Sequence, residues 1–262
     1  MRIIAISLMS AMVMAGEGPP LAEMADTIYP YEPTYVAIDP GFSDAPLNAK
    51  FQFSVALRVL GRGEDKDGLR PVGLYASYSQ TSFWDLESES KPFYDSSYRP
   101  EVWWHQSIPA TILGGRLGLE PGLAHESNGK AGPDSRSVNC AVVRMLGSWQ
   151  QEDVQITATP RLRYYLEKSD NPDIQVYRGY VDLIAAVRRP GSWEVSATGR
   201  IGSRGDRGSL MLEGSHPLNT WSDGLLHGYL YAQTFLGWGE TLQSYDQKSP
   251  QPRILIGFEL IR

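Results

Sequence analysis

From Lys50 onward the chain alternates. Between Lys50 and Leu60, Phe51, Phe53, Val55, Leu57 and Val59 fall on one side, with Lys50, Gln52, Ser54, Ala56 and Arg58 on the other. A period of two marks a β-strand with one apolar face, and this run has the length of a barrel strand that crosses a membrane, ~9–11 residues. Further runs lie near Leu74–Leu86, Val154–Leu166, Tyr177–Val187, Trp193–Ile201, Leu226–Phe235 and Ile254–Leu260, separated by glycine, proline and charged breaks. The pattern predicts an all-β fold, an antiparallel transmembrane β-barrel, and by itself permits about ten to fourteen strands. No later stretch approaches ~20 continuous apolar residues, so no transmembrane helix is expected. A polar lumen face hides a lipid-facing one in any averaged hydropathy, so the slightly polar mean does not argue against a barrel.

The first 49 residues read differently. Met1-Arg2, the apolar run Ile3 to Ala15 and its small terminal residues have the form of a secretory signal peptide over 1–15. Residues 16–49 are rich in Pro, Glu and Tyr without a sustained period, and read as an extended periplasmic arm. Tyr29, Tyr31 and Tyr35 are a candidate interfacial aromatic cluster there. Residues 50–262 form one barrel domain, since nothing Pro/Ser-rich or highly charged divides them. A net charge of -6 with no basic run argues against nucleic-acid binding. Cys140 is the only cysteine, which excludes an intrachain disulfide and a thiolate metal cluster and leaves it as a small packed residue.

Candidate chemistry sits between residues 117 and 139. As a strand, Leu117 to Ser127 places Leu117, Leu119, Pro121, Leu123, His125 and Ser127 on one face and Gly118, Glu120, Gly122, Ala124 and Glu126 on the other. His125 and Ser127 therefore continue an apolar row, an arrangement that makes sense if that row faces lipid and the substrate is a lipid. Asn128-Gly129 and Gly132-Pro133-Asp134 signal a hairpin loop. A second run follows with Asn139, Ala141, Val143 and Met145 on one face, which brings Asn139 beside Ser127 or diagonally beside His125. A hydroxyl, an imidazole and a polar group that orients the ring are the parts of an activated nucleophile. A neutral amide in the third role costs less near hydrocarbon than a carboxylate.

Other motifs weaken on inspection. Gly202 to Gly208 lacks the strand–loop–helix context and lysine pattern of a phosphate loop. His125-Glu126 is not a zinc helix, because the fourth residue after His125 is Gly129. His105, His216 and His227 have no partner at metal-ligand spacing and read as surface or interfacial residues.

His125-Glu126-Ser127-Asn128-Gly129, followed by Ser135-Arg136-Ser137-Val138-Asn139, resembles the active-site signature of the outer-membrane phospholipase A family of Gram-negative bacteria. The resemblance runs from about Tyr29 to near the C-terminus and is most specific between Tyr75 and Asn139. It implies a barrel of about twelve strands in the outer membrane and a calcium-dependent lipase that cleaves acyl esters of glycerophospholipids. Ser127 is then the nucleophile, His125 the general base, Asn139 the residue that orients it, and the Gly129 N–H an oxyanion donor. The positions matching the family's Ca2+ site are Ser90, Lys130 and Ser135, with Asp170 a further candidate. Lys130 stands where the family commonly has Arg, a change that a carbonyl donor tolerates. Gln80, within Tyr78-Ser79-Gln80-Thr81-Ser82, matches a glutamine that the family uses between two barrels, which implies a homodimer. Leu74, Ala76, Tyr78 and Gln80 share one strand face, and whether that face or the one with Tyr75, Ser77 and Ser79 points outward stays open. The chain ends without the aromatic residue common in such barrels. A non-catalytic porin or scaffold barrel and a lipopolysaccharide deacylase remain as alternatives.

Overall fold

The alternating runs become the staves of a closed sheet. The computed structural model describes residues 27–40, 48–61, 63, 69–222, 224–249 and 251–261; the expected signal peptide lies outside them. The strands are β1 (Ile28–Tyr29), β2 (Thr34–Ile38), β3 (Asn48–Gly61), β4 (Gly73–Asp85), β5 (Phe93–Ile112), β6 (Gly115–Ser127), β7 (Ser137–Gln151), β8 (Val154–Glu167), β9 (Val181–Arg188), β10 (Glu194–Ile201), β11 (Gly208–Pro217), β12 (Tyr229–Gly237) and β13 (Arg253–Ile261). All pairings are antiparallel between chain neighbours, and β13 returns to β2, which pairs β3, which pairs β4. β2 to β13 thus form a closed twelve-stranded barrel without a free edge. Two-residue turns at 113–114 and 152–153 lie on one rim with the 218–228 connection, whereas 86–92, 128–136, 168–180, 202–207 and 238–252 lie on the other, the long-loop rim.

Side-chain direction follows the alternation. Leu123, Tyr164, Leu166 and Phe258 point outward and are more than half exposed, part of an apolar belt that only a lipid environment would cover. Inward positions carry charge. Glu101 holds Arg144 and Arg161, Asp182 holds Arg163 and Arg200, and Lys50 donates to Gln233 Oε1 at 2.6 Å. Such pairs satisfy one another in a lumen that water reaches poorly. These networks surround a lumen cavity of about 450 Å³.

Four expectations are corrected here. Residues 28–38 are not an arm outside the sheet. β1 and β2 lie along one edge of β3, interrupted by Pro30 to Pro33, which cannot supply a continuous ladder. The interruption bulges into the lumen, where Tyr31 stacks on Trp103 with ring centroids 4.9 Å apart and donates to Glu101, while Glu32 pairs with Arg99 at 2.6 Å. Tyr29, Tyr31 and Tyr35 accordingly pack on Tyr75, Trp103 and Tyr231 inside the barrel, not at an interface. The run Tyr177–Val187 begins as the end of a short helix, α1 (Ile174–Arg178), and becomes strand only at Val181. Gly179 ends the helix at φ +62°, where a Cβ would lie 1.9 Å from the Ile201 carbonyl oxygen. His105 is fully buried, its Nδ1 3.0 Å from Glu120 Oε1, because its strand parity turns it inward.

Behind β6 and β7, near the long-loop rim, the lumen is apolar. Val138, Cys140 and Val142 meet Ile174 of α1 and Leu242 and Tyr245 of the 238–252 connection. The Tyr245 hydroxyl donates to Asp173 Oδ1 at 2.6 Å, and burial, with that carboxylate beside it, raises the phenol well above its ordinary pKa. Cys140 sits in this cluster as expected. The strands that carry the candidate site therefore rest on a small packed core, which fixes their backbones.

Candidate active site

β6 and β7 pair with His125 directly opposite Asn139 and Ser127 opposite Ser137. Outward parity puts His125, Ser127 and Asn139 on the lipid side, at the upper end of the apolar belt, each half-buried. His125 Nδ1 lies 2.8 Å from Asn139 Oδ1. Since an amide oxygen only accepts, Nδ1 carries the proton in this pairing and Nε2 is left as the basic nitrogen. Ser127 is two residues on, a Cα separation of roughly 7 Å along an extended strand. Among the described residues its hydroxyl makes no hydrogen bond, so hydroxyl and imidazole are same-face neighbours without a closed contact. Between them, Glu126 points inward, where Arg178 of α1 and Ser97 of β5 hold it at 3.0 and 2.8 Å.

The loop after Ser127 is organised by a residue that the sequence reading treated only as part of a turn. Asn128 is buried, its Oδ1 accepts from the Lys130 and Arg136 N–H groups at 3.2 and 3.0 Å, and its Nδ2 donates to the Asp134 carbonyl and to Gln243 Oε1 at 2.8 and 2.9 Å. Its own N–H bonds the Arg136 carbonyl at 3.0 Å. The N–H groups on either side of Gly129 are thus engaged, while that of Gly129 has no acceptor among the described residues. Gly129 has φ +69°, and a Cβ there would lie 2.8 Å from the Tyr98 ring. Only glycine suits both constraints, and a free N–H beside a nucleophile is what an oxyanion requires.

The candidate calcium residues separate into two groups. Ser135 and Ser137 hydroxyls donate to Asp170 Oδ2 at 3.3 and 3.0 Å, so three hard oxygens converge beside the loop. Asn171, fully buried, ties this turn to β7 by donating to the Ser137 carbonyl at 2.7 Å. Lys130 sends its ammonium to the Tyr94 carbonyl at 2.6 Å, which leaves its own carbonyl for other partners. Ser90 stands apart, exposed in the 86–92 connection on the same rim with φ +67°. Among the described residues no three His, Cys, Asp or Glu side chains are gathered to hold a metal. The oxygen chemistry suits a hard cation, but one chain offers too few charged ligands for a complete shell.

Gln80 resolves the face left open. It lies outward on β4, half-buried, its Oε1 accepting from the Tyr78 hydroxyl at 2.9 Å and its Nε2 donating to Ser82 Oγ at 3.2 Å. Tyr75, Ser77 and Ser79 point inward and are buried.

Comparison with known proteins bears on the fold and the family. The family model described as phospholipase A1 matches residues 27–260. Phospholipase A1 of Escherichia coli K12 is 32% identical over 258 residues, covering 89% of this chain and 81% of its own length. The Klebsiella pneumoniae enzyme is 33% identical over 219 residues, covering 80% and 69%. The structure of outer membrane phospholipase A from E. coli superposes with a TM-score of 0.73 at 28% identity, covering 97% of both chains. That of the Salmonella typhi outer membrane phospholipase, described as a dimer with bound calcium, gives 0.73 at 28% identity over 94% and 98%. A closed twelve-stranded barrel and relatedness along nearly its whole described length make this chain a member of the phospholipase A1 family, a β-barrel ester hydrolase of the bacterial outer membrane.

Proposed function

We propose that the protein hydrolyses acyl esters of membrane glycerophospholipids with Ser127, His125 and Asn139, depends on calcium, and acts as a homodimer. The 2.8 Å contact of His125 Nδ1 with Asn139 Oδ1 on the lipid-facing surface carries this reading. A bilayer delivers the ester laterally to that face, where no lumen residue could meet it. Ser127 Oγ attacks the ester carbonyl carbon as His125 Nε2 takes the hydroxyl proton. The proton passes to the departing glycerol oxygen, releasing lysophospholipid, and water activated by the same nitrogen then frees the fatty acid from Ser127. The Gly129 N–H faces the charge that develops on the carbonyl oxygen.

The Lys130 carbonyl, the Ser135 hydroxyl and the Asp170 carboxylate would hold calcium, with Ser90 as a donor from the facing copy. Calcium bound there would supply Lewis-acid stabilisation of negative charge next to the serine. No hydrogen bond among the described residues joins Ser90 to the other donors, which suits a site shared between two chains. Gln80 supports the same assembly. Two hydrogen-bonding positions of its amide are met within the chain and two are left, and in hydrocarbon a second barrel can complete them.

Mixed micelles of phospholipid and detergent test the reading through fatty-acid release. Activity should appear with calcium and fall at least tenfold with a chelator. Release that ignores the chelator would remove calcium from the account. Asn139→Ala should lower kcat about 10- to 100-fold with KM little changed, since the ring loses its orienting bond but the lipid contacts remain. A change confined to KM would show that Asn139 does not act through His125.

A further inference from the structure

The register of β7 against β8 shifts by one residue at the catalytic end. Cys140 pairs with Tyr165, but Asn139 pairs with Glu167, so Leu166 is an extra residue in β8. Regular alternation would turn Glu167 inward with Tyr165. A bulge in which two residues oppose one instead re-aims the strand end, and it makes Glu167 the direct cross-strand partner of the residue that holds His125. Glu167 Oε1 accepts from the Ser169 N–H and hydroxyl at 2.6 and 2.5 Å, which fixes the carboxylate and leaves Oε2 without a partner among the described residues. The Ser169 hydrogen bonds and, more weakly, the positive charge of a protonated His125 favour the ionised form of this carboxylate.

We propose that Glu167 is a positioning residue for the hydrolytic site: set beside Asn139 by the β8 bulge, its fixed negative charge stabilises the imidazolium that forms on His125. The proposal rests on the triad reading above. A serine–histidine–asparagine set orients the ring but gives its positive charge no anion, and Glu167 supplies one from a second strand away. The other titratable groups near the ring are committed elsewhere or neutral. Glu126 lies behind the sheet with Arg178, and Asp170 receives Ser135 and Ser137. Lys130 donates to the Tyr94 carbonyl, and Arg136 to the Pro133 and Ser135 carbonyls. Asp134 faces Gln243, and Lys168 turns to the Pro172 carbonyl. Tyr98 on β5 and Tyr164 on β8 bring phenols to this face, not carboxylates.

The test is a charge series at one position, Glu167→Asp, Glu167→Gln and Glu167→Lys, assayed on phospholipid micelles at saturating calcium across pH. Removing the anion takes away the charge that favours the imidazolium, so the acidic limb of kcat/KM for Glu167→Gln should move to lower pH. Its plateau kcat should fall about threefold as the base weakens, with KM unchanged. Glu167→Lys should move the limb further and Glu167→Asp should restore it. Superimposable profiles, or equal shifts for all three variants, would overturn the role, because packing alone does not order effects by charge. If Glu167→Gln does not fold, the Asp and Lys variants carry the same comparison. Ser127→Ala is assayed alongside. Hydrolysis retained there overturns the triad reading and this inference together, whereas an inactive Ser127→Ala with a flat charge series overturns this inference alone.

Discussion

Ser127→Ala should reduce phospholipid hydrolysis by about 10⁴-fold or more while leaving the barrel intact. The loss is large because a nucleophile has no substitute in the pathway: without the hydroxyl no acyl-serine forms, and only the oxyanion donor and lipid positioning remain to assist water. The fold should be insensitive because the Ser127 hydroxyl makes no hydrogen bond among the described residues and its outward side chain packs on no core cluster. Such a site falls in the class of surface substitutions worth within about 0.5 kcal/mol. His125→Ala should fall nearly as far, and the double variant hardly further, since the two groups perform one step. The measurements are fatty-acid release and the mobility of unheated protein on denaturing gels, which reports the folded barrel. Residual activity within tenfold of the parent would show that another residue attacks the ester.

Most of this architecture was legible because a barrel strand writes its two faces into the sequence. Phe51 to Val59, Leu117 to Ser127 and Asn139 to Met145 each gave the correct parity, and parity alone puts His125, Ser127 and Asn139 on one face. What alternation cannot encode is a break in itself. Pro30 to Pro33 reads as a linker, yet it is the interruption of a strand, and Tyr31 and Glu32 find partners 70 and 67 residues away that no local pattern announces. Leu166 shows the same limit in one residue: the run Val154–Leu166 is a strand, but only the ladder shows that its last turn of the pleat reverses Glu167. Tyr177 was misplaced for a related reason. A helix as short as α1 has too few residues to establish a 3.6-residue period. His105 looked partnerless because Glu120, its partner, lies on the next strand and not at a ligand spacing along the chain.

Asn128→Ala should cost the enzyme about 100-fold in kcat although Asn128 touches neither the ester nor the imidazole. The deleted amide makes four of the bonds that shape the loop from Gly129 to Arg136. Its loss leaves the Lys130 and Arg136 N–H groups and the Asp134 carbonyl without partners, each worth on the order of 1–3 kcal/mol where buried. The loop would exchange that cost for disorder, and with it would go the held geometry of the Gly129 N–H, the Lys130 carbonyl and Ser135. Two functions should therefore fail together: oxyanion stabilisation, read as lower kcat at saturating calcium, and calcium response, read as a higher calcium concentration for half-maximal activity. Asn128→Asp separates the bonds. It keeps the acceptor for Lys130 and Arg136 but sets a carboxylate against the Asp134 carbonyl and Gln243 Oε1, so it should fall between the parent and the alanine variant. Equal, parent-like calcium curves for both variants would show that the loop holds its shape without the amide. The strand pair β6–β7 would then be sufficient to build the site.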